Sequence, residues 1–353
     1  MARFSSTLGA VLSILREMDV RAARAAAEMP FLIVFASRDL PMAEHLAGLL
    51  YRGDRAHDIP PLRTAKGALL SDAAQLARAN LVVIVARADQ RDDEADRLHQ
   101  ALMTSGVPCL MAYLQPDDAL PATEPAVYIP MSDQAVDETA AVERLVRAIR
   151  DMRVIDDLAL ARHLPAFRQP VIRDLIEETA TANAAYSLGA GLLQINPVTG
   201  LPVAVADTIV LTKNQLLLAY KITLTMGLPA DVQHVMPQVL GVIGGGLAFR
   251  QAARGAVSLL PALGIAPKVA IAFAGTYAIG EAVYRWCRSG EPLSKVHWRA
   301  LYAQALAKGR AVAAALRRIA RALTQRRVRQ PARPEQTAAS HAVLSSNGII
   351  HYS

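Results

Sequence analysis

Short apolar runs alternate with helix-like segments in the first 150 residues. The runs consist of large or β-branched side chains bounded by turn residues. Parallel strands that are buried on both faces have such continuous runs, and the segments between them have the length of crossover helices. A Rossmann-like parallel sheet with helices on its faces is therefore predicted, with strands at 31–35, 81–85, 108–113 and 126–129 and helices at 41–50, 92–104 and 137–150.

Long uncharged stretches replace this alternation in the second half. No charged residue occurs at 179–206 or at 232–249, and 255–280 contains only Lys268. These lengths are close to the minimum for a helix that crosses a bilayer, but Pro202 and Pro237 interrupt them. Hairpin or re-entrant helices are therefore favoured over straight spans. The predicted fold class is α/β followed by an all-α, apolar, membrane-associated domain.

A few polar residues punctuate the apolar helix that follows Pro202. At 100° per residue Asp207, Asn214 and Lys221 lie along one side of this helix, and Gln215 is next to Asn214 in the sequence. A buried polar seam of these four residues is predicted. For Asp207 two interpretations stay open, because an ionisable group in an apolar helix either hydrogen-bonds neighbouring helices or serves a coupling or oligomer interface.

The same stretch resembles a GTPase-associated helical domain family of unknown function, which follows Era-like GTPase domains in many bacterial proteins. In that family a Pro-Gly turn enters a helix with an aspartate and ends in an aromatic-Gly pair. Here the glycine is seven residues beyond the tyrosine instead of adjacent to it. The resemblance covers roughly residues 166–292, implies an architecture without an assigned reaction, and is carried by Pro197, Gly200, Pro202, Asp207, Gln215, Tyr220 and Gly227.

The order and spacing of the segments in the first half resemble an Era-type G domain. Such a domain needs a Gly-rich loop with Lys-Ser/Thr after its first strand, because backbone amides and an ammonium group hold the phosphates. Residues 36–43 contain neither glycine nor lysine. The magnesium-contacting motif has only Asp58 as a counterpart, and the guanine-reading motif has only Asp117. A degenerate, nucleotide-free domain is predicted, with Asp117 as a remnant; an unrelated doubly wound domain fits the residues as well.

Charge adds a second feature at the C-terminal end. The chain has 38 Lys and Arg against 31 Asp and Glu, yet no acidic residue occurs at 295–329. Apolar residues from Trp298 to Leu323 follow one side of a predicted helix, with arginines opposite. A helix on an anionic membrane surface has this pattern, and so does a helix docked on the protein with a solvated basic face. The residues predicted to contact anionic lipid are Arg310, Arg317, Arg318 and Arg321.

These patterns divide the chain into six segments. An amphipathic N-terminal helix (1–29), which either packs on a neighbouring helix or contacts a membrane peripherally, precedes the α/β domain (30–150). Connecting helices (151–183) lead to the apolar helical domain (184–292). The basic amphipathic helix (293–330) and a tail predicted to be disordered (331–353) follow.

Residues typical of catalysis or metal binding are not grouped in the sequence. The eight histidines include no His-x-x-x-His pair of the kind that binds a metal ion. The two cysteines are far apart, so a disulfide is not expected, and this fits a reducing cytoplasm. Cys109 is expected to be inert in a strand, and Cys287, beside Arg288, to have a slightly lowered pKa. No catalytic residue, metal or cofactor is predicted. Nucleic acid is not an expected partner, because only Trp298 and Tyr302 could stack on bases.

The sequence thus favours a non-enzymatic scaffold or partner module of a GTPase-linked system. It would be located at the inner membrane of a cell, with the α/β domain in the cytoplasm, and would bind an anionic membrane surface, a GTPase or a second copy through its helices. Two alternatives remain. One is a divergent NTPase that uses Arg38, Asp58 and Asp117, and the other is a soluble helical interaction protein whose apolar helices bury one another.

Overall fold

A computed structural model describes residues 20–53, 64–90, 92–116, 126–132, 135–190, 203–242 and 265–329. Several predicted features lie outside these ranges: residues 1–19 of the N-terminal helix, the tail 331–353, Asp58 and Asp117, and the turn with Pro197, Gly200 and Pro202. The side chains of Asp207 and Arg321 also lie outside the described part.

The first half contains one six-stranded sheet in the order β2-β1-β3-β4-β5-β6. The first five strands are parallel, and the short β6 is antiparallel to β5. The predicted α/β domain followed by helices is confirmed at this level. Two strands, β2 and β6, were not predicted. The strands are β1 (Ile33–Ser37), β2 (Ala65–Leu69), β3 (Leu81–Arg87), β4 (Cys109–Pro116), β5 (Ala126–Ser132) and β6 (Ala135–Val136).

Helices cover both faces of the sheet and then make up the second half. The three helices predicted in the first half correspond to α2, α4 and α5, each capped at its N-terminus by an aspartate. The helices are α1 (Val20–Glu28), α2 (Leu40–Leu49), α3 (Ala73–Leu76), α4 (Asp93–Ser105), α5 (Glu138–Asp151), α6 (Asp157–His163), α7 (Arg168–Ala190), α8 (Val203–Thr225), α9 (described over 232–242), α10 (Ile265–Ser289) and α11 (Lys295–Arg329), with a 3₁₀ turn at Pro165–Phe167.

Alternate side chains of the central strands enter two different cores. In β1, Ile33 and Phe35 pack with α2, α5 and α6, whereas Val34 and Ala36 pack with α3 and α4 on the opposite face. All five residues of β1 are buried. This two-sided burial explains why the strand has a continuous apolar run instead of an alternating one.

The apolar helices of the second half bury one another around a third core, which is called the helical core below. Its centre is α8, where Tyr220, Ile222 and Leu224 are completely buried, and α1, α6, α7, α9, α10 and α11 also contribute side chains. Leu175 of α7 contacts both this core and the core that the sheet forms with α2, α5 and α6, which is called the core beneath the sheet below. In the described part of the chain, none of the helices combines the length and the apolar character that crossing a bilayer requires.

The chain divides into two compact units, residues 1–314 and 315–353. The α/β half, the apolar helices and α11 as far as Ala314 belong to the first unit. The described part of the second unit, residues 315–329, is the remainder of α11. The domain boundaries inferred from the sequence stay predictions.

Candidate functional site

The carboxyl edge of the parallel sheet is the first place to look for a ligand site. In doubly wound sheets with the strand order 2-1-3-4-5, ligands bind beyond the carboxyl ends of β1 and β3, where the chain turns to opposite faces. Here β1 ends at Ser37 and leads into α2, and β3 ends at Arg87 and leads into α4. The residues that follow these two strands therefore form the candidate site.

Arginines at this edge are ion-paired with carboxylates of the same edge. Arg38 Nε lies 3.1 Å from Asp92 Oδ1 and 3.2 Å from Glu94 Oε2. Arg87 binds Asp89 through two hydrogen bonds of 2.9 Å, which hold the pKa of Asp89 below its ordinary value and raise the pKa of Arg87. The arginines that a phosphate would need as partners are thus already paired with neighbouring carboxylates.

The helix N-termini at this edge are occupied as well. Asp39 Oδ1 accepts a hydrogen bond of 3.1 Å from the Met42 N–H at the start of α2. Asp92 Oδ1 accepts two, from Glu94 N–H and Ala95 N–H, at the start of α4. A helix N-terminus binds phosphate through its first backbone N–H groups, where these are free, and through the helix dipole. At both helices an aspartate carboxylate already accepts hydrogen bonds from these N–H groups.

Of the three residues named for the NTPase alternative, the structure describes only Arg38. Arg38 is at the carboxyl edge in the ion pairs described above. Asp58 and Asp117 lie outside the described residues, so nothing places either of them beside Arg38.

A buried hydrogen-bond network joins three helices of the second half. Asn214 Nδ2 of α8 donates to Asn183 Oδ1 of α7 over 2.7 Å, and Asn183 Nδ2 donates to Thr276 Oγ1 of α10 over 2.8 Å. Gln215 Nε2 donates to the same hydroxyl over 3.0 Å, and that hydroxyl donates to the Ala272 carbonyl. Asn183 and Thr276 are completely buried, and Gln215 nearly so.

Two of the four residues of the predicted seam therefore meet in this network, and two residues of the network were missed. Asn183 lies in the uncharged stretch 179–206 and Thr276 in the stretch 255–280, where Lys268 is the only charged residue, and a polar side chain within such a stretch was the available signal. Lys221 is located elsewhere: it is half-buried and lines a cleft of about 1240 Å³ beside α5 and α7. The side chain of Asp207 is not described, so its two interpretations stay open.

Residues that carried the family resemblance have structural contacts at the end of α8. Tyr220 is buried and donates a hydrogen bond of 2.7 Å to the Ala230 carbonyl. Gly227 follows the helix with a φ of 83°, a left-handed conformation that favours glycine at a helix end. The partly buried guanidinium of Arg162 donates to the carbonyls of Leu224 and Leu228, and burial lowers its pKa. These contacts stabilise the helix terminus.

A second ion-pair network lies among the residues that line the cleft beside α5 and α7. Arg150 of α5 donates to both carboxylate oxygens of Asp157 of α6 and, over 2.7 Å, to Asp174 of α7. These hydrogen bonds raise the pKa of Arg150 above its ordinary value. No pattern in the sequence predicted this network, which links the sheet-covering helices to α7.

The arginines of the last helix whose side chains are described face solvent, and its aromatic side is buried. Arg310, Arg317 and Arg318 are exposed, whereas Trp298 and Tyr302 are buried in the helical core. The part of α11 that precedes residue 315 is thus docked on the protein, as one of the two sequence interpretations stated. The side chain of Arg321 lies outside the described part.

Both thiols are protected by burial. Burial raises the pKa of Cys109, and it raises the pKa of Cys287 to about 12. The expected lowering of the pKa of Cys287 is wrong, because the thiol is buried in the helical core. Among the residues that the structure describes, no group of three or more His, Cys, Asp or Glu side chains could hold a metal ion.

Comparison with known proteins adds no relative. No protein-family model matches the chain, and no curated protein matches it. The features that could carry a function are those placed by the fold: the ion-paired carboxyl edge, the network around Thr276, the cleft beside Arg150, and the basic last helix.

Proposed function

We propose that this chain is a non-enzymatic scaffold or partner module, associated with an anionic membrane surface, whose α/β domain holds no nucleotide. The observation that supports this proposal best is the occupied carboxyl edge. Arg38 is paired with Asp92 and Glu94, and Asp39 caps α2. A triphosphate would have to break these contacts and approach several carboxylates, which repel it.

The link to a GTPase system is an expectation from the family resemblance. The parallel order β2-β1-β3-β4-β5 fits both a degenerate G domain and an unrelated doubly wound domain. In either case the α/β domain offers surface for a protein partner, which could be a GTPase or a second copy of this chain. We further propose the inner membrane as the location, with this domain on the cytoplasmic side.

The alternative of a soluble helical interaction protein has its own support. The apolar helices bury one another, with Tyr220, Ile222 and Leu224 at the centre of their core. Fractionation of cells separates the two possibilities. Recovery in the membrane pellet, with release by high salt, is expected for the proposed surface attachment, whereas recovery in the supernatant at low salt supports the alternative.

Titration of the purified protein with GTP and with ATP, each with Mg²⁺, tests the nucleotide part. We expect no saturable heat by calorimetry up to millimolar ligand and no rise in Tm, since a ligand that binds only the folded state stabilises it. Arg38→Ala is the matched variant. Micromolar binding that is lost in Arg38→Ala, especially with turnover, would establish the NTPase alternative and overturn the proposal.

A further inference from the structure

We propose that α11 has two functional parts: an anchor, residues 295–314, that docks on the helical core, and an arm, residues 315–329, that alone binds the anionic bilayer surface. This inference rests on the proposed membrane association and goes further by assigning the contact to one segment. It also changes the assignment of Arg310, which belongs to the anchor.

The anchor has its apolar side fully engaged within the protein. Trp298, Leu301 and Ala305 are buried in the helical core. At Gly309 a Cβ atom would lie 2.6 Å from the backbone oxygen of Ala270, so the two helix backbones cross in direct contact. These apolar residues are therefore not available to lipid.

A polar contact holds the anchor at the same crossing. Lys308 Nζ donates a hydrogen bond of 2.9 Å to the hydroxyl of Tyr277 in α10 and lies 3.6 Å from a carboxylate oxygen of Glu177 in α7. The apolar packing and the charge pairing of the anchor thus involve the same part of α11, and both hold it on the helical core.

The arm has a different character. Its sequence contains six arginines and no acidic or aromatic residue, as can be read from residues 315–329. The side chains of Arg317 and Arg318 are exposed, and Ile319 is 57% exposed. An exposed apolar side chain next to exposed arginines is typical of a helix that lies in a membrane interface.

The spacing along the arm also favours lipid over nucleic acid. At 100° per residue Leu316 and Ile319 lie within about 60° of each other, with Arg317 and Arg318 on the opposite side. Such a stripe matches the acyl boundary of a bilayer, about 22 Å of helix lying in its plane. Single-stranded nucleic acid would require aromatic residues for stacking, and the arm has none.

The test measures binding of the full chain to vesicles of phosphatidylcholine with and without phosphatidylserine. We expect binding only with phosphatidylserine. Each basic residue near an anionic surface contributes about fivefold in affinity, so Arg317→Gln with Arg318→Gln should weaken binding about 25-fold. The same pair changed to lysine should bind nearly as the unchanged chain does, because the charge is retained.

Lys295→Gln with Arg299→Gln is the matched control, since both residues are exposed on the anchor and the net charge changes equally. We expect this pair to change binding less than twofold. Equal weakening by both pairs would overturn the two-part assignment and leave the membrane association standing. Absence of vesicle binding by the full chain would overturn both, and tighter binding to duplex or single-stranded DNA than to the vesicles would overturn lipid as the ligand.

Discussion

Gly309 is a position where a single methyl group decides how closely two helices approach. A Cβ atom at this position would lie 2.6 Å from the Ala270 carbonyl oxygen, which is backbone and cannot rotate away. We expect Gly309→Ala to lower the free energy of unfolding by about 1–2 kcal/mol, because the overpacking cost exceeds the gain in helix propensity. Urea denaturation followed by circular dichroism measures the change.

Gly241 in α9 provides the control, because among the described residues no atom outside its own stretch of helix lies within 4 Å of the Cβ that would be added there. Gly241→Ala should raise the free energy of unfolding by up to about 1 kcal/mol through helix propensity alone. If Gly309→Ala were as stable as the unchanged protein, the close helix crossing would be wrong.

His163 should make stability depend on pH. Burial, followed by the charges of Arg162 and Arg168, lowers the pKa of this imidazole in the folded protein. The unfolded chain therefore binds more protons between the folded pKa and about 6.5, the ordinary value for histidine. The contribution of His163 to stability is complete above the unfolded pKa and is lost as the pH falls through the folded pKa.

We therefore expect His163→Gln to reduce the loss of stability between pH 7.5 and pH 5 in urea denaturation. His234→Gln is the control, because this histidine is exposed. A pH dependence that is identical in His163→Gln and in the unchanged protein would contradict the lowered pKa of His163.

At the scale of elements, Thr276 determines how α7, α8 and α10 fit together. Its hydroxyl accepts hydrogen bonds from Asn183 and Gln215. Thr276→Val keeps the shape but removes the acceptor that two buried donors share, so we expect a loss of about 2–4 kcal/mol in the free energy of unfolding. Thr276→Ser keeps the hydroxyl and should cost about 1 kcal/mol for the missing methyl. Similar costs for the two variants would show that the network contributes little.

The sequence predicted the buried strands well because each of them has a continuous apolar run. It missed β2, whose residues are Ala-Lys-Gly-Ala-Leu, since this edge strand lacks β-branched and aromatic side chains. Gly67 in this strand explains part of the difference: an added Cβ would lie 2.7 Å from the backbone nitrogen of Glu44 in α2. Tertiary contact thus requires a glycine where strand propensity would disfavour one.

Polar partners were predicted only as far as the periodicity of one helix allowed. Asn214 and Gln215 were identified because they interrupt an apolar helix, but their partners Asn183 and Thr276 come from two other helices, and helix packing selects them. The pairing of Arg38 with Asp92 and Glu94 joins loops after two separate strands, which no local pattern specifies.

At the scale of the whole molecule, α6, the 3₁₀ turn and α7 are shared by the two halves. Leu160 and Phe167 are completely buried in the core beneath the sheet, while Ile172 and Ile176 belong to the helical core. The connecting segment is therefore part of the α/β core. Its removal would leave the sheet without one of its covering layers, so the two halves should fold and unfold together.

The two cysteines allow this cooperativity to be measured, because Cys109 is in β4 and Cys287 is in α10, and both are buried. In single-cysteine variants, Cys287→Ala and Cys109→Ala, we expect both thiols to become reactive at the same urea concentration. Phe167→Leu should lower the two midpoints equally, by the equivalent of about 1 kcal/mol, since the cavity it creates lies in the shared segment. Exposure of Cys109 at a urea concentration where Cys287 is still protected would show instead that the α/β half unfolds independently, and that residues 151–183 are a linker between separate domains.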